Sequence, residues 1–347
     1  MKAAMILEGN RLEIQDVPKP VPAFEEALVK IITAGVCHSD VHLVKGDWPR
    51  FIRSFPTPVG HEGIGIIEAL GPGADKYFQI GDRVILGLGG AGGAYWCGAC
   101  EFCLSGRPRL CRQAKGVRGV YAEYVSLWAK ALVKLPEAVS NEEVSLACGG
   151  LTSYSAVKKF LKFGVVPGKP IAIVGAAGGL GHYAVQSAKA FGFKVLGVDV
   201  GQDKIDFIKN HLGADYAVDA ADARRFVKEE LAGGVYGSVV FTPKIAGFAL
   251  GLKLMRQGGI FVSVGMPAES EGGIEINPLE LLSRDPIIMS SAVGTVEEMR
   301  ELVQLCADGK VKSHISRRAP LSQLQNVLDE LERAAYPGRA ILNDMAN

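Results

Sequence analysis

Over positions 1–150 the apolar residues gather in short runs broken by Gly and Pro, as at 27–34, 63–70, 82–88 and 122–127. Runs of that length, rich in β-branched residues and bounded by turn formers, predict strands. No long helical period interrupts them, so this part is expected to be mostly β. Past Leu151 the pattern changes. Apolar runs at 171–174, 194–198, 216–218, 239–241, 260–264 and 287–292 predict strands, and 181–191, 204–211 and 246–255 between them predict helices. Strands alternating with helices imply a parallel, doubly wound sheet, and six such strands make one complete dinucleotide-binding domain. The tail adds helices over 297–307 and 321–334 and a strand over 339–342.

Composition narrows the setting. The 347 residues suffice for two domains, with 48% hydrophobic and 22% charged residues, a balance normal for a globular protein. Lys plus Arg number 38 against 37 Asp plus Glu, which leaves no surplus to attract nucleic acid or an anionic membrane. The apolar runs are too short to span a bilayer, and the amino end lacks a signal-peptide core, so a cytoplasmic location is expected.

Two sets of residues carry candidate chemistry. The first is the turn Val174-Gly175-Ala176-Ala177-Gly178-Gly179-Leu180-Gly181, between a predicted strand and a predicted helix. Glycines there let backbone approach a pyrophosphate, whose charge a helix N-terminus stabilises. Counted from Gly175, Ala177 stands where a strict G-x-G-x-x-G has glycine. Asp199 follows Gly181 by 18 residues, at the end of the next predicted strand. An acid there can accept hydrogen bonds from an adenosine ribose; the plainer alternative is a helix cap. Val200, Gly201 and Gln202 offer no base for a 2′-phosphate, which favours NAD over NADP.

The second set is the cysteines, seven in all. Cys97, Cys100, Cys103 and Cys111 could close a tetrahedral shell around zinc; an iron–sulfur cluster is the competitor, disfavoured by the wide last gap and the absence of a following Pro. Cys37, His61 and Cys148 stand apart in the chain, and spacing alone does not join them.

A resemblance does join them. GVCHSDVH, GDWP, GHEGIG, the four-cysteine lobe, CGGLT and VGAAGGLG occur in the order found in zinc-containing medium-chain alcohol dehydrogenases, and the match to the yeast and bacterial branch spans essentially the whole chain. It implies an α/β protein: a GroES-like β-rich catalytic domain, taken as 1–150 and 295–347, and a Rossmann domain, taken as 151–294, with the active site in the cleft between them. It further implies reversible hydride transfer between an alcohol, taken as primary, and NAD, two zinc ions per chain and a homo-oligomer, dimer or tetramer. Cys37, His61 and Cys148 resemble the catalytic zinc ligands, and Cys97, Cys100, Cys103 and Cys111 the structural ones. Asp40 resembles the acid that orients His61, and Glu62 the acid beside the metal, with a local ion pair as its alternative. Ser39 and His42 resemble a proton relay. His38, Arg339, Lys204 and Thr152 resemble cofactor contacts, beside Gly175, Gly178, Gly179, Leu180, Gly181 and Asp199. Trp48 resembles a pocket tryptophan.

The chain departs from the family pattern in three places. A second pocket tryptophan is replaced within 89–93, which would enlarge the pocket; the segment between Cys111 and Tyr124 is short; and Cys306 matches no ligand position and is expected to be a buried structural residue. Two rivals are a polyol-type dehydrogenase, in which Glu commonly replaces the third ligating cysteine, and a zinc-free, non-catalytic NAD(P)-binding relative.

Overall fold

The structure, a computed structural model, describes residues 1–52, 54–86 and 93–347. The chain forms two compact units: Met1–Leu151 with Val293–Gly309 and Ser313–Asn347, and Thr152–Ala292 with Lys310–Lys312.

In the first unit β1 (Lys2–Leu7) and β2 (Arg11–Asp16) form an antiparallel hairpin. The organising strand is β3 (Glu26–Val36), which pairs along its length with β5 (Glu62–Leu70), while β4 (Thr57–Pro58) adds to β1. Beyond β5 come β6 (Arg83–Leu86) and, later in the chain, β8 (Leu132–Lys134); β7 (Tyr124–Trp128) pairs with the first half of β3. Val29, Ile67, Val84 and Leu86 are fully buried, and each such side chain contributes about 1.5–3 kcal/mol by leaving water.

The second unit has β9 (Pro170–Val174), β10 (Lys194–Asp199), β11 (Tyr216–Asp219), β12 (Val235–Val240), β13 (Met255–Ser263) and β14 (Ile287–Ser290), ordered β11-β10-β9-β12-β13-β14 with every pair parallel. Strand order reverses between β9 and β12, the place where such sheets bind ligands. Ile171, Ala172 and Ile173 are all fully buried, because helices cover both faces of a parallel sheet. After this unit the chain returns to the first, where β15 (Ile315–Pro320) and β16 (Arg339–Asp344) extend the sheet through the second half of β3.

Several predicted boundaries shift. The helix expected over 204–211 runs Gln202–Asp206 and then winds as a π-helix over Phe207–His211. The strand expected over 82–88 is Arg83–Leu86, with 87 and 88 outside the described residues. A short helix, His38–Lys45, stands within the β-rich part, and Gly149–Lys162 is a long helix that its glycine start concealed. A Cβ at Gly150 would lie 2.8 Å from Leu146 and 3.3 Å from Leu302, so close packing explains that glycine. Cys306 is half-buried in helix Val296–Ala307, which corrects its expected burial.

Candidate active site

In the first unit β3 runs into the N-terminus of helix His38–Lys45, with Cys37 at the cap. Asp40, at the third helical position, reaches back to accept the Cys37 N–H at 3.3 Å, and Gly46, at φ +76°, ends the helix. An acid in a first turn also complements the helix dipole. Asp40 is 1% exposed; its Oδ1 lies 3.2 Å from His61 Nδ1, and its Oδ2 accepts the Tyr121 hydroxyl at 2.6 Å.

His61 Nε2 is buried without a hydrogen-bond partner. Leaving such an atom unpaired costs about 1–3 kcal/mol. Ligand atoms of Cys37, His61, Glu62 and Cys148 all lie within 4.8 Å of one another, an arrangement that fits a cation at this position. The Cys148 thiol and, against the effect of burial, His61 hold the Cys37 thiol well below its ordinary range; Cys37 and burial push Cys148 well above it. Burial pushes His61 down, but the charge of Asp40 and its hydrogen bond outweigh that and leave His61 well above its ordinary value. The protons that a divalent ion would displace therefore sit on the Cys148 thiol and on His61, with Cys37 favoured as the thiolate.

Glu62 is fully buried and ion-paired with Arg339, which is 3% exposed; Arg339 Nη2 lies 2.5 Å from Oε1 and also contacts Oε2. Burial pushes the carboxyl of Glu62 above its ordinary value, against the pull of Arg339. The alternative weighed for Glu62 from sequence was a local ion pair; the pair present is instead with Arg339, 277 residues away, while an oxygen of Glu62 still borders the cysteines and His61. Gly35 makes room: a Cβ there would stand 2.0 Å from Glu62 Oε2.

Ser39 Oγ lies 3.6 Å from Cys37 Sγ. His42 Nδ1 lies 2.7 Å from Asp47 Oδ2, its Nε2 is buried without a hydrogen-bond partner, and its ring stacks on Trp48 at 4.4 Å between centroids. The His38 ring is edge-on to His42 at 5.1 Å. Of the 89–93 segment tied to pocket size, 89–92 lie outside the described residues.

The four-cysteine lobe is compact, with Cys97 and Cys103 sulfurs 3.9 Å apart and Cys100 and Cys103 sulfurs 3.5 Å apart. Tetrahedral zinc with Zn–S of about 2.3 Å sets sulfurs about 3.8 Å apart. The backbone N–H groups of Ala99 and Cys100 lower the Cys97 thiol to about 6, and burial and Cys100 push Cys103 up to about 12.

In the second unit the turn after β9 leads into helix Gly181–Ala190, whose N-cap is Leu180. Gly175 adopts φ +83°, and a Cβ on Gly181 would be 2.0 Å from the Gly175 carbonyl oxygen, so both glycines are sterically required. Gly178 donates its N–H to that same carbonyl at 3.2 Å, and Gly179 completes the turn. Asp199, at the end of β10, accepts the N–H of Ala177 and that of Val200, each at 2.9 Å, and Lys204 Nζ lies 3.7 Å from its Oδ1. The next helix is capped by Gly201, so Asp199 is not its cap. Thr152 is buried. Sequence reasoning missed Gly35, Asp47 and Tyr121; the Asp of GDWP, five residues from His42, was the one legible signal among them.

Residues 24–137 match the alcohol dehydrogenase GroES-like domain family, and residues 179–308 match the zinc-binding dehydrogenase family. The chain is 39% identical over 354 residues to an alcohol dehydrogenase of Geobacillus stearothermophilus, with 99% of each chain covered. Among solved structures it is similar to the alcohol dehydrogenase of the archaeon Aeropyrum pernix, at 34% identity and a TM-score of 0.88, covering 99% of this chain and 100% of that one. It is also similar to an acetophenone reductase of Geotrichum candidum solved with NAD, at 28% identity and a TM-score of 0.84, covering 100% and 98%. With family matches on both halves and a full-length relative at this identity, the chain belongs to the zinc-dependent medium-chain alcohol dehydrogenase family.

Proposed function

We propose that this enzyme interconverts a primary alcohol and its aldehyde with NAD, using one zinc ion held by Cys37, His61 and Cys148 and a second held by Cys97, Cys100, Cys103 and Cys111. The observation that carries this reading is the buried, unpartnered His61 Nε2 among the sulfurs of Cys37 and Cys148, with Nδ1 secured by Asp40. Two sulfurs and one imidazole leave a tetrahedral ion one open position, the arrangement catalytic zinc requires; alcohol dehydrogenase is itself the standard example of that ligand set. When bound, zinc supplies Lewis acidity toward the substrate oxygen and NAD supplies the hydride acceptor.

The protein's own residues divide the remaining work. Asp40 fixes the ring and tautomer of His61. Ser39 accepts the substrate proton, and His42 receives it at the end of the relay. Asp47 supports this role, because an acceptor at Nδ1 keeps the proton there and leaves Nε2 with a lone pair. Trp48 walls the substrate pocket beside His42. Gly175, Gly178, Gly179, Leu180 and Gly181 receive the pyrophosphate, and His38, Thr152, Lys204 and Arg339 are assigned to the same cofactor. Asp199 selects NAD, since a carboxylate there would repel a 2′-phosphate. Ile287 and Ile288 on edge strand β14, 40% and 39% exposed, and Leu282, 81% exposed, support a homo-oligomer. A cytoplasmic setting accords with the finding that no described helix is long and apolar enough to cross a membrane.

The test is NAD reduction across primary, secondary and aromatic alcohols before and after chelation. Activity on primary alcohols that chelation abolishes and zinc restores is the expected result. Activity indifferent to complete zinc removal, or confined to polyols, would refute the reading.

A further inference from the structure

Asp40 can hold His61 only if its own carboxylate is held. Oδ1 is taken up by His61 Nδ1, so the rotation of the carboxylate is set at Oδ2. There the Cys37 N–H donates at 3.3 Å, a long contact, and the Tyr121 hydroxyl donates at 2.6 Å. The second distance belongs to the short class of O–H···O⁻ bonds, roughly twice as strong as neutral ones. The Gly35 carbonyl oxygen lies 3.1 Å from the same hydroxyl, but the single proton goes to the closer, charged acceptor.

Tyr121 is equally tied to the chain that carries His61. Its N–H donates to the Val59 carbonyl at 3.1 Å, and the Val120 N–H donates to the Gly60 carbonyl at 3.1 Å. Its ring fills the space beside Gly60: a Cβ there would meet Tyr121 Cγ and Cδ1 at 2.7 Å. Gly60 has φ +89°, so its missing side chain serves both the turn before His61 and the seating of the ring. Tyr121 is fully buried, and burial together with the nearby Asp40 charge keeps its phenol protonated, as a donor must be.

We propose that Tyr121 is a positioning residue for the zinc site: its backbone and ring brace the Gly60–His61 turn while its hydroxyl locks the Asp40 carboxylate that orients His61. This rests on the assignment of Cys37, His61 and Cys148 to zinc, and the experiment separates the two ideas. Tyr121→Phe removes one oxygen and keeps the ring. Zinc release to a colorimetric chelator is followed for wild type and variant, with melting temperature and NAD binding as controls.

Wild type should release its two ions in two phases. In Tyr121→Phe the phase assigned to the Cys37 site should be about tenfold faster, the lower end of the usual loss of metal affinity on removing an outer partner of the ligands, since Tyr121 acts on His61 through Asp40. The four-cysteine phase and NAD affinity should not change. In an Asp40→Ala background the Tyr121→Phe change should add nothing, because its acceptor is gone. Wild-type release rates in Tyr121→Phe, equal acceleration of both phases, or the same acceleration without Asp40 would each overturn the proposal. A wild-type protein that holds zinc only at the four cysteines would instead refute the underlying zinc assignment, and the proposal with it. If Tyr121→Phe does not fold, protein made with 3-fluorotyrosine, a stronger donor, serves in its place: slower release from the Cys37 site supports the proposal, and unchanged release overturns it.

Discussion

Replacing Arg339 with leucine would strand the carboxylate of Glu62, a side chain with no solvent exposure, beside a cation that no longer exists. Both carboxylate oxygens contact Arg339 Nη2. Removing one partner of a buried pair of this kind costs about 3–5 kcal/mol, most of it the burden of an uncompensated charge. For a unit of 150–250 residues each kcal/mol moves the melting temperature by about 2–4 °C, so Arg339→Leu should melt roughly 10 °C lower. The carboxylate cannot escape by swinging toward Gly35, where its Oε2 already occupies the space of a Cβ. The double variant Glu62→Gln with Arg339→Leu removes both charges and should recover more than half of the loss. Differential scanning calorimetry of the zinc-loaded protein at neutral pH reads all three forms. A single variant within about 1 kcal/mol of wild type, or a double variant no more stable than the single, would refute the reasoning.

Two further predictions concern the second unit. Burial raises the Asp215 carboxyl, but the Val195 N–H at 2.8 Å and Lys189 at 2.9 Å outweigh it and leave the group below its ordinary 3.8. The unfolded chain then binds the proton more readily, so the stabilisation is complete above about pH 5 and fades as pH falls through the native value. Asp215→Ala should accordingly cost about 1 kcal/mol at pH 7 and much less at pH 3, and chemical denaturation giving an equal deficit at both would contradict this. Asp199→Ala should weaken NAD binding and narrow its advantage over NADP in isothermal titration; it also frees the Ala177 N–H, so an unchanged affinity ratio would count against the ribose role.

The elements best legible in the chain were those with local signals. The turn at 174–181 declared itself because close backbone packing forces glycine at 175 and 181. The parallel sheet declared itself through continuous apolar strands such as Ile171–Ile173. What escaped depends on pairs far apart in sequence. Glu62 and Arg339 are 277 residues apart, and Tyr121 and Asp40 are 81 apart, so no periodicity or spacing could reveal that they meet. Helix His38–Lys45 escaped for another reason. At 8 residues it is too short for a periodic signal, and its defining cap uses Cys37, an uncommon capping residue. Cys37, His61 and Cys148 were linked only through family resemblance, and their convergence is a property of the fold.

Under the proposed function, Cys37, His61 and Cys148, whose ligand atoms converge, hold a catalytic metal separate from the four-cysteine lobe. Metal analysis of purified Cys148→Ser against wild type tests it most directly. About two zinc ions are expected per wild-type chain and about one in Cys148→Ser, with turnover lost and NAD binding kept. Two ions and wild-type turnover in Cys148→Ser would contradict it.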